Sequence, residues 1–224
     1  MTQLPLDLAF RPALDREAFF VSGSNAEALA QVEAWRTWPG GKLALTGAAG
    51  SGKTPLAHVW AAESGAEIIS AARLDAGSPA RFGDAGALVI EDVDHVAALS
   101  EPRAAEAALF HLHNMLTARG GHLLVTGCRA PARWRIATPD LASRLQAAPV
   151  AALHAADDPL IDAVILKIAA DRQLELDPRV PPFLSLRLDR SLGAISDALA
   201  ILDRQALAAQ RRITVPFARD VLDL

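Results

Sequence analysis

The chain has 224 residues, 51% of them hydrophobic and 21% charged, which fits one folded domain with a smaller appendage and excludes a disordered chain. Its 26 acidic against 22 basic residues give a formal charge of −4, without the electrostatic footprint of a protein whose main task is gripping nucleic acid. One cysteine excludes an internal disulfide and any cysteine-rich metal centre, and no basic leader or membrane-length apolar run is seen, so a cytoplasmic protein off the membrane is expected.

Residues 1–23 carry Pro5, Pro12 and Gly23 among scattered apolar residues and read as an extended arm. Ser24 and Asn25 precede an Ala/Leu-rich run to Trp35, which predicts a capped helix broken by Pro39-Gly40-Gly41. Residues 42–46 (KLALT) predict a strand, 53–64 a helix and 66–70 a second strand. The continuous apolar run 87–90 (ALVI) ends on acids and suits a strand covered on both faces, hence a parallel sheet. Leu109, Leu112, Met115 and Leu116 lie at helical spacing within 103–119, closed by Arg119-Gly120-Gly121. A strand at 122–128, a short helix at 138–145 and a last strand near 150–153 complete an alternating α/β pattern.

The pattern changes at Ala155-Ala156-Asp157-Asp158-Pro159. Leu160, Val164 and Ile168 repeat every four residues, and Leu188, Leu192, Ile195, Leu199 and Leu202 predict one face of a long helix. The expected organisation is an arm over 1–23, an α/β base over 24–155 and a small helical domain over 156–224. That last region holds nine basic and eleven acidic residues from position 157 onward, a poor surface for phosphate.

Gly47-Ala48-Ala49-Gly50-Ser51-Gly52-Lys53-Thr54 fits G-x-x-x-x-G-K-[ST] between a predicted strand and a predicted helix. Small residues let backbone N–H groups curl around phosphate oxygens at the positive end of the following helix. Lys53, one of only three lysines (Lys42, Lys53, Lys167), can reach the outer phosphates, and the Thr54 hydroxyl can help hold Mg²⁺. Pro55 is tolerable in a first helical turn. Glu91 and Asp92 end the ALVI strand; a carboxylate there can hold the Mg²⁺ shell through water, and the next can orient an attacking water. P-loop proteins usually place aspartate first, whereas here Glu91 precedes Asp92. His111 and His113 point to different helix faces and make a poor metal pair. Cys128 reads as a small core residue, the four tryptophans as packing residues, and Arg129, Arg133 and Arg135 as a solvated cluster.

These residues resemble the AAA+ ATPases and, within them, the DnaA family. Val21-Ser22-Gly23-Ser24-Asn25 is similar to the segment that opens the family's nucleotide module. Leu124-Val125-Thr126-Gly127-Cys128-Arg129-Ala130-Pro131 resembles its sensor 1 strand, with Thr126 as the polar tip. Pro139-Asp140-Leu141-Ala142-Ser143-Arg144-Leu145 resembles box VII, which implies that Arg144 is an arginine finger. The tail over 187–222 is similar to the Hda branch of the family. The resemblance covers essentially the whole chain. It implies an AAA+ P-loop base with a parallel sheet, an all-α lid, and bound ADP or ATP with Mg²⁺. It also implies a negative regulator of replication initiation that stimulates hydrolysis of DnaA-bound ATP, with little hydrolysis of its own and no sequence-specific DNA binding. A homo-dimer or larger oligomer is compatible with it.

Gln3, Leu4, Leu6 and Leu8 in QLPLDL resemble the peptide that docks on the DNA polymerase III β sliding clamp, with Gln3 hydrogen-bonding and the leucines filling apolar pockets. Six residues alone favour an N-terminal strand packed on its own domain; the Hda-like tail reverses that preference toward the clamp ligand. The family's sensor 2 arginine aligns with Gly193, and Arg190 lies nearly one helical turn earlier. Two alternatives stay open: a self-standing ATPase of helicase-loader type, and a nucleotide-stiffened scaffold that bridges clamp and DnaA without an active finger.

Overall fold

The computed structural model describes residues 19–224, so Gln3, Leu4, Leu6 and Leu8 lie outside the described residues. The base begins with α1 (Ala26–Glu33), followed by β1 (Lys42–Thr46), α2 (Lys53–Ser64), β2 (Glu67–Ser70) and the short α3 (Ser78–Phe82). Then come β3 (Ala87–Glu91), α4 (Pro102–Arg119), β4 (His122–Gly127), α5 (Pro139–Gln146) and β5 (Val150–Ala152). The strands form one parallel sheet in the order β2-β3-β4-β1-β5.

Consecutive residues of a strand point to opposite faces, and here both faces are covered. Leu88 and Ile90 join Ala44, Leu123 and Val125 in a layer with Leu109 and Leu112 of α4 and Leu141 and Leu145 of α5. Val89 joins Leu43, Leu45 and Leu124 in the opposite layer, with α1 and with Leu56, Val59 and Trp60 of α2. The unbroken apolar runs therefore follow from a three-layer α/β/α sandwich. Trp38 and Trp60 stack at 5.0 Å between ring centroids within the second layer, and Trp35 meets Trp60 edge-on at 6.3 Å.

Four helices follow: α6 (Asp158–Asp171), α7 (Val180–Ser185), α8 (Leu192–Ala209) and α9 (Val215–Leu222). They enclose a third core in which Ile165, Ile195, Leu199 and Leu202 are fully buried. The long helix begins at Leu192, not at Leu188 as the leucine spacing predicts. Ser191 accepts the Ala194 N–H on its side chain and starts the helix there, and Leu188 packs on the same core from the preceding turn. Asp157 caps α6 in the same manner through Leu160 N–H, at 3.1 Å.

Asn25 departs from its predicted role as a helix cap. Its Oδ1 accepts the Ser22 N–H and its Nδ2 donates to the Phe20 carbonyl, both at 2.9 Å, so it ties residues 20–25 together. Among the described residues no helix is long and apolar enough to cross a membrane.

Candidate functional site

The phosphate loop leaves the end of β1 and enters α2. Gly50 and Gly52 have φ of +71° and +99°, a region that L side chains rarely adopt. A Cβ on Gly47 would fall 2.9 Å from the Leu153 carbonyl oxygen, so the backbone passes too close there for a side chain. Pro55 occupies the first turn of α2, where its missing N–H costs no helical bond.

Lys53 is 8% exposed, and its ammonium donates to the Gly47 and Ala48 carbonyls at 2.7 and 2.9 Å. The Ser51 hydroxyl is buried with no hydrogen-bond partner among the described residues. A curled loop of small residues, an unpartnered hydroxyl and a lysine within the loop make a cradle that fits phosphate oxygens. The Thr54 hydroxyl donates to Glu91 Oε1 at 2.7 Å, which places side by side the two oxygens expected to share a Mg²⁺ shell.

Asp92 follows with φ +58°, and its N–H donates to the Thr126 hydroxyl at 3.0 Å. Thr126 is thus 1% exposed and braces the turn after β3 from the end of the neighbouring strand β4. Glu91 sits against the phosphate loop, and the reversed acid order directs Asp92 to the adjoining cavity.

That cavity has a volume of about 700 Å³ and lies between base and helical domain. Ala49, Gly50, Ser51, Gly52, Lys53 and Thr54 form its polar end. Leu160, Val164, Ile168 and Gly193 line it from α6 and α8, and Phe19 and Phe20 from the chain's entry. Val21 is exposed and does not line it; the aromatic pair just before it does. The sequence carried no periodic signal for that pair.

Further residues at the cavity carried no signal of that place in the sequence. Cys128 lines the cavity, with its sulfur 3.9 Å from the Lys53 ammonium, in place of the core position its type suggests. Asp94 accepts the Cys128 N–H at 2.7 Å and holds it there. The Asp94, His95 and Cys128 donor atoms lie within 4.8 Å of one another, but the adjacent ammonium repels a cation at that spot. Ser191 and Leu192 meet the phosphate loop directly: the Leu192 N–H donates to the Gly50 carbonyl at 2.8 Å.

Arg190 donates to Asp158 at 2.7 Å and to the Ala156 carbonyl at 3.3 Å, and it does not line the cavity. It braces the start of the helical domain, off the cavity that Gly193 lines.

Arg144 is exposed on α5, outside the cavity, with its guanidinium 5.2 Å from the centre of the Phe110 ring. Its charge acts on Lys42, the first residue of β1, whereas the phosphate loop follows that strand's last residue. Lys42 Nζ donates to Nε2 of His113 at 3.2 Å, which requires a neutral ring. Burial first, then the Lys42 and Arg144 charges, hold the His113 imidazole below its ordinary value. His111 is exposed while His113 is buried, so the two do face apart.

Residues 158–222 match the family model described as Hda, lid domain. Over 95% of this chain and 97% of the other, the fold superposes on crystalline domain III of the Thermotoga maritima replication initiator DnaA, with a TM-score of 0.80 at 20% identity. AMPPCP-bound DnaA from Aquifex aeolicus gives 0.67 at 18% identity, over 86% of this chain and 66% of that one. A mutant RuvB from Thermotoga maritima gives 0.72 at 17% identity, over 95% and 72%. The base thus has the fold seen in DnaA domain III and in RuvB, and the helical domain behind it matches the Hda lid model.

Proposed function

We propose that this protein is an Hda-type negative regulator of replication initiation that presents Arg144 to ATP held by DnaA. The observation that carries this reading is the placement of Arg144. The guanidinium is exposed on α5, away from its own chain's phosphate loop, and this supports a role toward a nucleotide bound to another subunit. Such a cation stabilises charge developing on the transferred phosphoryl group and is worth roughly 10³–10⁵ in rate. In this reading residues 1–23 are a docking arm that meets the sliding clamp through Gln3, Leu4, Leu6 and Leu8. Residues 24–155 are the nucleotide-binding base and 156–224 the lid.

The chain's own cavity takes an adenine nucleotide, a reading supported by its likeness to DnaA solved with AMPPCP, and in this reading ADP is the resting form. Thr54 and, through water, Glu91 hold Mg²⁺, which when bound neutralises charge on the outer phosphates. DNA is met through partners in the cytoplasm, in keeping with the −4 charge.

The test is hydrolysis of DnaA-bound ATP with clamp-loaded DNA, comparing wild type with Arg144→Ala. Loss of about 10³-fold stimulation is expected; unchanged stimulation refutes the finger. Deletion of residues 1–8 abolishes recruitment to loaded clamps and spares nucleotide binding. The Thr54–Glu91 contact favours a second reading, an ATPase in its own right. That reading requires turnover by the isolated protein, lost in Lys53→Ala and indifferent to DnaA.

A further inference from the structure

Glu106, Phe110 and His113 are spaced by four and three residues and so share one face of α4. That face meets α5 and the segment leading into it. Glu106 is 1% exposed. Its Oε1 accepts the Ala137 N–H at 2.8 Å, and its Oε2 accepts the Thr138 N–H at 2.8 Å and the Thr138 hydroxyl at 2.6 Å. Thr138 is the residue at which α5 starts, yet its side chain makes no cap bond within that helix, because the hydroxyl is engaged by Glu106. Burial pushes the Glu106 carboxyl up; the bonds from Thr138 and Ala137, with the charge of Arg103, outweigh this and hold it below its ordinary value. One turn along α4, Phe110 underlies the Arg144 guanidinium, while the buried Leu141 and Leu145 set the rotation of α5.

We propose that Glu106 is a positioning residue for Arg144, acting through the start of α5. The carboxylate sets where α5 begins relative to α4, and Phe110 on the same face receives the guanidinium that α5 carries. A carboxylate suits the task because all three donors converge on acceptor-only oxygens. Glutamine in its place would turn an NH₂ group toward the Ala137 or Thr138 N–H, and that donor pair repels. This proposal rests on the finger role assigned to Arg144 above.

The experiment compares wild type, Glu106→Gln, Thr138→Val and Arg144→Ala by two readouts. The first is stimulated hydrolysis of DnaA-bound ATP, titrated to saturation and normalised to folded protein. The second is hydrogen exchange of the α5 amides. Displacement by about 1 Å costs on the order of 10²-fold in rate, so Glu106→Gln is expected to lower saturating stimulation by roughly 10–10²-fold. The half-saturating concentration stays unchanged, and exchange rises in α5 but not in α2 or the sheet. Thr138→Val, which removes only the hydroxyl's bond, gives a smaller fall in the same direction, and it decides by the same readouts if Glu106→Gln does not fold. Wild-type saturating stimulation with intact α5 protection overturns the proposal, as does a loss confined to half-saturation. Unchanged stimulation by Arg144→Ala refutes the finger instead, and α5 protection in the other two variants still decides whether Glu106 places that helix.

Discussion

Phosphate loop and lid are in contact at Gly50, and this makes a quantitative prediction for Gly50→Ala. The residue sits at φ +71°, where an L side chain costs roughly 1–2 kcal/mol. A Cβ there would also fall 1.9 Å from Ser191 Oγ and 2.9 Å from its Cβ. Ser191 would have to withdraw, giving up its cap on the Ala194 N–H, worth about 0.5–2 kcal/mol. The withdrawal also strains the bond from the Leu192 N–H to the Gly50 carbonyl, whose net worth is about 0.5–1.5 kcal/mol. Gly50→Ala is therefore expected to cost about 2–5.5 kcal/mol. Ser191→Gly alone costs only a few tenths of a kcal/mol, because glycine is a serviceable N-cap, and it removes both clashing atoms. In the double variant only the backbone cost at position 50 remains, about 1–2 kcal/mol. A double-mutant cycle by urea unfolding should thus return a coupling of about 1–3.5 kcal/mol. If Gly50→Ala costs the same with glycine at 191 as with serine, the contact between loop and lid is not what constrains this position.

Asp157→Ala removes both the cap of α6 and the acceptor for the Ser24 N–H at 3.2 Å, and should cost about 1–2.5 kcal/mol in denaturant unfolding, whereas Asp157→Asn keeps the cap and loses less. Thr54→Val should weaken nucleotide binding in Mg²⁺ and leave binding in EDTA unchanged by calorimetry, because the lost hydroxyl is the one beside Glu91. The imidazole of His113 is held below 6.5 by burial, Lys42 and Arg144, so the unfolded chain takes up that proton first as pH falls. Stability should accordingly drop as pH falls through about 6.5 and stop dropping at the lower folded-state value; melting curves of His113→Gln should show a shallower drop, with the remainder from His122, which burial and Arg36 hold low in the same sense.

What could be read from the chain was whatever is local or periodic. The phosphate loop was legible because its chemistry occupies eight consecutive residues, and ALVI was legible because a strand covered on both faces admits no polar alternation. The start of α8 was misplaced because Leu188 keeps the helical spacing while belonging to the turn ahead of the Ser191 cap. Side-chain to backbone bonds between distant segments left no trace at all. Asp94 reaches Cys128 across 34 residues, and Glu106 reaches Ala137 and Thr138 across 31 and 32. Each of these is a carboxylate satisfying a buried or turn N–H, and only the folded sheet brings the partners together. The same holds for Phe19 and Phe20, whose place at the cavity depends on Asn25 engaging the Phe20 carbonyl instead of capping a helix.

At Gly193, the position that resembles the family's sensor 2 site, the lid meets the phosphate-loop end of the base through backbone. Gly193 presents no side chain to the cavity, and Arg190 is held by Asp158 and the Ala156 carbonyl at the domain junction. The described lid-to-loop hydrogen bond is instead the backbone pair Leu192 N–H to Gly50 carbonyl. A backbone donor reads the conformation of the loop and is indifferent to the charge beyond it. Nucleotides differing only in the γ-phosphate should therefore shift this lid through the loop's shape alone, with less salt dependence than a guanidinium contact would confer. Restoring a cation with Gly193→Arg places a guanidinium at a cavity-lining position one residue into α8. The expected outcome is tighter binding of a non-hydrolysable ATP analogue relative to ADP, and a steeper salt dependence of that preference. Equal gains for ADP and the ATP analogue would mean that the added cation is answering phosphate in general, and that sensing through the loop is not what the glycine at 193 has left in place.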